Sequence, residues 1–241
     1  MNSAVEKTPW QSVILTLFPS MFPGALGLSI TGRALDEGIW SLKTLDIRNF
    51  ARDNRGSVDG APFGGGPGMV LRPDVIDDAL GSLCGVPGRR IYLTPRGRRF
   101  NQKLAKELAL DAGVVLVCGR YEGVDQRVIE AREMEEISVG DFILSGGELA
   151  AQAVLDSCVR LLPGVLGCKE GLMEESFENN LLEYPQYTYP RDWKGRSVPE
   201  VLLSGNHSKI ATWRREQAEF VTRNGRPDLW ETYKSRVDRE H

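Results

Sequence analysis

Between residues 90 and 162 the chain alternates short apolar runs, too brief for helices, with stretches of helical periodicity, and this alternation narrows the possible folds more than any other feature. Residues 90–93 (RIYL) and 114–118 (VVLVC) read as strands, residues 101–110 as a helix opened by an N-capping asparagine, and residues 123–131 as helical. Residues 137–144 read as a broken extended segment and residues 148–162 as an apolar-periodic helix. Upstream, residues 12–18 (SVILTLF) form a β-type run stopped by Pro19, residues 40–47 a second strand, and residues 73–83 a helix with proline near its start. Strands separated by helices predict an α/β fold whose parallel sheet is covered on both faces. Residues 53–69 are rich in Gly, Pro and Asp, a loop of a length that compact domains rarely keep without a use.

The composition shifts at Pro163. Residues 163–190 hold one basic residue, Lys169, against five acidic ones, and read as an interdomain linker. Residues 191–241 hold eleven basic and eight acidic residues, with helical periodicity over 207–224, and read as a small basic helical domain. Residues 12–162 then form the main domain and residues 1–11, without the apolar core of a signal peptide, a flexible leader. The net charge of −3 argues against unspecific polyanion binding but permits a local basic face. No apolar run is long enough to span a membrane, and Cys84, Cys118, Cys158 and Cys168 lack a CxxC spacing, which points to reduced thiols and a cytoplasmic protein.

Several chemistries drop out. No Gly-Lys dipeptide exists for a nucleotide-binding P-loop. The GGGPGM run at residues 64–69 follows no convincing strand and places Met69 where a dinucleotide fingerprint needs a small residue. With His207 and His241 the only histidines, neither a zinc site nor a Ser-His-Asp triad is expected, and no metal-ligand cluster stands out. What remains are three loops, each after a strand: residues 94–99 (TPRGRR), 119–123 (GRYEG) and 138–148 (SVGDFILSGGE). In an open α/β sheet such loops build the ligand crevice, and their glycines let backbone amides come close to a ligand.

The runs FGGGPGM (63–69), YLTPRG (92–97), CGRYEGVDQRV (118–128), SVGDFILSGGEL (138–149), PGVLG (163–167) and LLSGNH (202–207) closely resemble the bacterial tRNA (guanine-N1)-methyltransferases of the SPOUT superfamily, from about Ser12 to at least Trp213. The resemblance implies a C-terminal trefoil knot in the α/β domain, a linker, and a helical domain that binds tRNA. It also implies a homodimer with the active site between subunits, and S-adenosylmethionine held bent in the knot. By residue match Tyr92, Leu93, Thr94 and Pro95 line the cofactor pocket, with Gly119, Tyr121, Glu122 and Gly123 from the second loop. Ser138, Val139, Gly140, Asp141, Phe142, Ile143, Leu144, Gly146 and Gly147 complete it. The implied substrate is tRNA with guanine at position 37, preceded by another guanine; magnesium (Mg2+) comes with the family alone.

Guanine N1 carries a proton and is a poor nucleophile, so a base must remove that proton while charge develops on O6. Arg160 matches the family arginine assigned to O6, and Glu175, before Ser176 and Phe177, stands where the family has an aspartate base. Glu174 is the neighbouring alternative. Ala150 replaces a family proline, and Gln186 and Tyr189 replace a histidine and an arginine. Gly64, Gly65, Gly66, Pro67 and Gly68 are expected to meet the flipped guanine or the methionine end of the cofactor. Ser204, Asn206 and His207 offer a helix N-terminus to a phosphate, and Arg214, with Lys209, Arg215 and Arg223, a basic helix face. Arg89, Arg90, Arg96, Arg98 and Arg99 are further RNA candidates. Two rivals stay open: a SPOUT enzyme acting on another RNA position, and an RNA-binding protein without catalysis.

Overall fold

The computed structural model describes residues 8–167 and 175–240. The chain forms two compact units, Met1–Gly167 and Cys168–His241. In chain order the first unit contains β1 (Trp10–Thr16), α1 (Ser29–Asp36), β2 (Trp40–Asp46), β3 (Asp59–Gly60) and β4 (Val70–Leu71). It continues with α2 (Pro73–Gly81), β5 (Arg89–Arg99), α3 (Gln102–Leu110), β6 (Gly113–Cys118), α4 (Gln126–Ala131), β7 (Glu135–Ser138) and α5 (Glu148–Val159). Strands β1, β2, β5, β6 and β7 make one parallel sheet in the order β2-β1-β6-β5-β7, and β3 and β4 pair antiparallel apart from it. The α/β expectation of a parallel sheet is met.

The centre of the sheet shows why a continuous apolar run becomes a strand. In β6, Val114, Leu116 and Cys118 pack with Leu104 and Leu108 of α3 and Val154, Leu155 and Val159 of α5. Val115 and Val117 point to the other face, among Ile76 and Leu80 of α2 and Val128 and Ile129 of α4. Both faces are covered, so no position of the strand can be polar. Each such side chain contributes about 1.5–3 kcal/mol by leaving water.

Several boundaries differ from the sequence reading. Strand β1 begins at Trp10, so the leader expected over residues 1–11 overlaps it; residues 1–7 lie outside the described residues. Strand β5 does not end at Leu93 but runs to Arg99. Leu93 and Arg98 both pair with Ile137, so residues 94–97 bulge out of the ladder between them. Helix α4 starts at Gln126 rather than at residue 123, because Gly123 sits at φ 120° and Asp125 caps the helix, accepting from the Arg127 amide at 2.9 Å. Helix α1 has no counterpart in the sequence reading; its Thr31, Gly32 and Ala34 are buried, and Ile30 and Leu35 pack against the core.

The second unit holds a short antiparallel ribbon, β8 (Asp192–Trp193) with β9 (Arg196–Ser197), then α6 (Glu200–Leu203), α7 (His207–Gly225) and α8 (Pro227–Glu240). Residues 163–190, expected as one linker, are divided: residues 163–167 end the first unit and residues 175–190 belong to the second. There the Leu182 amide donates to Thr222 Oγ1 on α7 at 2.8 Å. Cys168 and Glu174 lie outside the described residues. Among the described residues no helix is long and apolar enough to cross a membrane.

Candidate functional site

The carboxyl ends of β5, β6 and β7, three neighbouring strands, surround a cleft of about 260 Å³. Tyr92, Leu93, Thr94 and Pro95 enter from β5 and its bulge, and Gly119, Tyr121, Glu122 and Gly123 from the loop after β6. Ser138, Val139, Gly140, Phe142, Ile143, Leu144, Gly146 and Gly147 enter from the loop between β7 and α5. Of the residues that sequence placed here, Asp141 is the exception: its side chain is 89% exposed and faces Arg99 at 3.5 Å, outside the cleft. The physical reason is local, since a carboxylate on an open loop gains more from water and a neighbouring guanidinium than from an apolar wall.

The loops are tied to one another. The Gly147 amide donates to Gly119 O at 2.9 Å, and a Cβ on Gly147 would lie 2.7 Å from Cys118 Cα, so no other residue fits that approach. The Tyr92 hydroxyl accepts from the Val124 amide at 3.2 Å, and burial pushes the phenol above its ordinary range. Ser138 Oγ donates to Gly140 O at 3.1 Å. Among the described residues the amides of Phe142, Ile143, Leu144 and Gly146 donate to no protein acceptor, which leaves them for solvent or a ligand. Leu93, Ile137, Leu144 and Ala150 supply aliphatic walls, and Tyr121 and Phe142 an exposed aromatic rim. Aliphatic walls beside unclaimed amides suit a flat heterocycle read along its polar edge.

Sequence reasoning missed the pair that braces this cleft. Arg120, on its lining, donates from Nε to Glu148 Oε1 at 3.3 Å and faces Oε2 as an ion pair at 2.9 Å, with Glu148 only 1% exposed at the start of α5. Glu148 Oε1 also accepts from Thr16 Oγ1 at 2.7 Å, and Arg120 donates to Ser145 O at 3.1 Å. The Arg120 guanidinium lies 4.4 Å from the centre of the Phe18 ring. One buried ion pair therefore joins the end of β1, the loop after β6 and the first turn of α5. Both residues lie in loops that the sequence marks as crevice-forming, but no local pattern there signals that they pair. Burial holds the Cys118 thiol well above its usual range and pushes Cys158 up to about 12, so neither serves as a nucleophile.

The other predicted residues lie elsewhere. Gly64, Gly65, Gly66 and Gly68 all have positive φ, between 79° and 117°, a conformation that demands glycine. Met69 O accepts from the Glu122 amide at 2.9 Å, so this loop, with Pro67, borders the cleft without lining it. Arg160 is the C-cap of α5. At 1.5 Å per residue it stands roughly 15 Å along the helix from Ala150, away from the cleft. In the second unit Glu175 lines a shallow hollow of about 200 Å³ with Arg214, Arg215 and Leu182. The Arg214 guanidinium lies 4.9 Å from the centre of the Tyr184 ring. Asn206 caps α7 by accepting from the Lys209 amide at 3.1 Å, with Ser204 and His207 beside it on an exposed helix start. Among the described residues no group of three or more His, Cys, Asp or Glu is placed to hold a metal ion.

The family model described as tRNA (Guanine-1)-methyltransferase TrmD matches residues 11–232 of this chain. A tRNA (guanine-N(1)-)-methyltransferase of Rhodospirillum rubrum is 57% identical over 223 residues, covering 92% of this chain and 93% of the relative. A protein of the same description from Bartonella tribocorum is 57% identical over 224 residues, 93% of this chain and 96% of the relative. Another from Rhodopseudomonas palustris is 56% identical over 222 residues, 92% of this chain and 88% of the relative.

Proposed function

The chain belongs to the tRNA (guanine-1)-methyltransferase family, and from that membership we propose that it methylates N1 of guanine 37 in tRNA, beside the anticodon, using S-adenosylmethionine. The observation that carries the reading is the cleft itself: three glycine-bearing loops at adjacent strand ends, with aliphatic walls and unclaimed backbone amides. These residues fit the adenosine of S-adenosylmethionine: the aliphatic walls would hold the base, and the amides of the loop after β7 would supply donors to it. When bound, S-adenosylmethionine supplies an electrophilic methyl group. The first unit carries the family's trefoil knot, made by the chain that forms these loops.

The rest of the reaction falls to this chain's own side chains. Glu175 takes the N1 proton as the methyl arrives, and Arg160 stabilises the charge that grows on O6. Arg160 stands far along α5 from the cleft of its own chain, which supports a homodimer in which it serves the second copy's cleft. The glycine loop at residues 64–68 borders the guanine, and the second unit binds tRNA through Arg214, α7 and its capped start at Ser204, Asn206 and His207. The protein works in the cytoplasm. Magnesium enters through the family alone, and no role is assigned to it.

Methyl transfer to a tRNA transcript with position 37 varied tests this reading. Guanine 37 is expected to accept a methyl group at N1 and adenine 37 to accept none. Methylation at another nucleotide, or equal transfer to both transcripts, would overturn it.

A further inference from the structure

The β8–β9 ribbon of the second unit presents an exposed indole among basic residues. Its two strands pair Asp192 with Ser197 and Trp193 with Arg196, and the Val198 amide extends the pairing by donating to Arg191 O at 2.9 Å. Lys194 and Gly195 close it, at φ 50° and 75°. Two central residues at positive φ match the twist of a tight hairpin, so the ribbon is a shaped element rather than a trailing loop.

Alternation along an extended chain puts Arg191 and Trp193 on one face, and Arg196 lies directly across from Trp193. Lys194 Nζ sits 5.1 Å from the centre of the Trp193 ring. The acidic residue of the ribbon, Asp192, falls on the opposite face, where it accepts from Ser197 Oγ. Among the described residues Arg191, Lys194 and Arg196 have no carboxylate partner. The indole is 54% exposed, and nearby Tyr189 is 93% exposed. An exposed indole on a strand pair whose cations lack carboxylate partners suits neither an apolar protein interface, whose centre excludes charge, nor a folded core. It does suit RNA, whose unpaired bases stack on aromatic rings while phosphates take the cations.

We propose that this ribbon face binds a single-stranded segment of the tRNA substrate, Trp193 stacking on one unpaired base and Arg191, Lys194 and Arg196 holding the adjoining phosphates. The inference rests on the substrate reading above and assigns part of the tRNA affinity to residues outside the cleft and outside α7.

The test uses full-length protein and an unmodified tRNA transcript with guanine at positions 36 and 37. Trp193→Ala is expected to weaken tRNA binding about fivefold or more, the size of one lost base stack. Trp193→Phe should recover most of that loss. Combined Arg191→Ala, Lys194→Ala and Arg196→Ala should lower the slope of log affinity against log salt by about 2, from three phosphate contacts at roughly 0.7 each. In all of these variants turnover at saturating tRNA and S-adenosylmethionine affinity should stay at the wild-type level. If wild-type protein binds and methylates the transcript and Trp193→Ala and the triple variant match it in affinity and salt slope, the ribbon proposal fails alone. It fails in the same way if the variants lose self-association but keep tRNA affinity. If wild-type protein binds no tRNA, the substrate reading and the ribbon fall together.

Discussion

Two basic runs with three cations each look alike in the sequence and differ in the structure. Arg96 lies in the bulge of β5 with Arg98 and Arg99 directly after it, and Arg191, Lys194 and Arg196 decorate the ribbon of the second unit. In the first run each guanidinium has a carboxylate: Arg96 with Glu136 at 3.2 Å, Arg98 with Glu135, and Arg99 with Asp141 at 3.5 Å. In the second, among the described residues, there is none. The first run is locally neutralised; the second keeps its charge for a polyanion. A count of basic residues cannot separate these cases, because the deciding carboxylates come from distant parts of the chain.

The strongest way to break this contrast is at the ion pair under the cleft. Arg120→Ala would strand the buried Glu148 carboxylate, so we expect a loss of about 3–5 kcal/mol in denaturant unfolding of the first unit, together with weaker S-adenosylmethionine binding. Unchanged stability would show that the pair braces nothing. Next in size, Arg160→Ala should lower turnover by about 100-fold, within the range for groups that stabilise transition-state charge, while S-adenosylmethionine affinity measured by calorimetry holds. The contrast itself sharpens through salt titrations. Replacing Arg96, Arg98 and Arg99 by Ala should change the salt slope of tRNA binding less than the corresponding ribbon triple, since exposed pairs already neutralise them. Equal slopes for the two triples would erase the distinction.

The smallest expected effect lies at the start of α8. Arg226 donates to both oxygens of Asp228, at 2.8 and 2.6 Å, and those bonds hold the carboxyl down to about 2. A depressed carboxyl stabilises the fold above its ordinary value of 3.8, and that contribution fades as pH falls from there through about 2. An NMR titration of the Asp228 carboxyl should find its midpoint near 2, whereas a midpoint near 4 would mean the pair does not persist in solution.

Much of the first unit was legible because its strands are short apolar runs and its site is built from backbone. Residues 114–118 could be nothing but a buried strand, and glycine-bearing loops after strands mark a crevice whatever their neighbours. The parts that escaped depend on partners far apart in sequence. Arg120, Glu148 and Thr16 meet only when β1, β6 and α5 are assembled, so no local pattern announces them. The bulge at residues 94–97 exists because β5 returns to the same partner, Ile137, after leaving it, a matter of register and not of propensity. Asp141 sits inside a run of cleft residues and takes a different side-chain environment. The ribbon is hidden in the sequence because its strands have two residues each and its Lys-Gly turn lacks the Asn-Gly or Asp-Gly signature of such hairpins.

The central claim is a division of labour: the cleft of the first unit holds S-adenosylmethionine, and Glu175, in the second, takes the guanine N1 proton. Glu175→Gln keeps the side chain's shape and removes its basicity, so it separates the two roles in a single protein. Single-turnover methylation of guanine 37 should fall by about 100-fold or more, S-adenosylmethionine affinity should stay at the wild-type value, and Glu175→Asp should remain active. Methylation at the wild-type rate by Glu175→Gln, or loss of S-adenosylmethionine binding alongside the lost methylation, would contradict it.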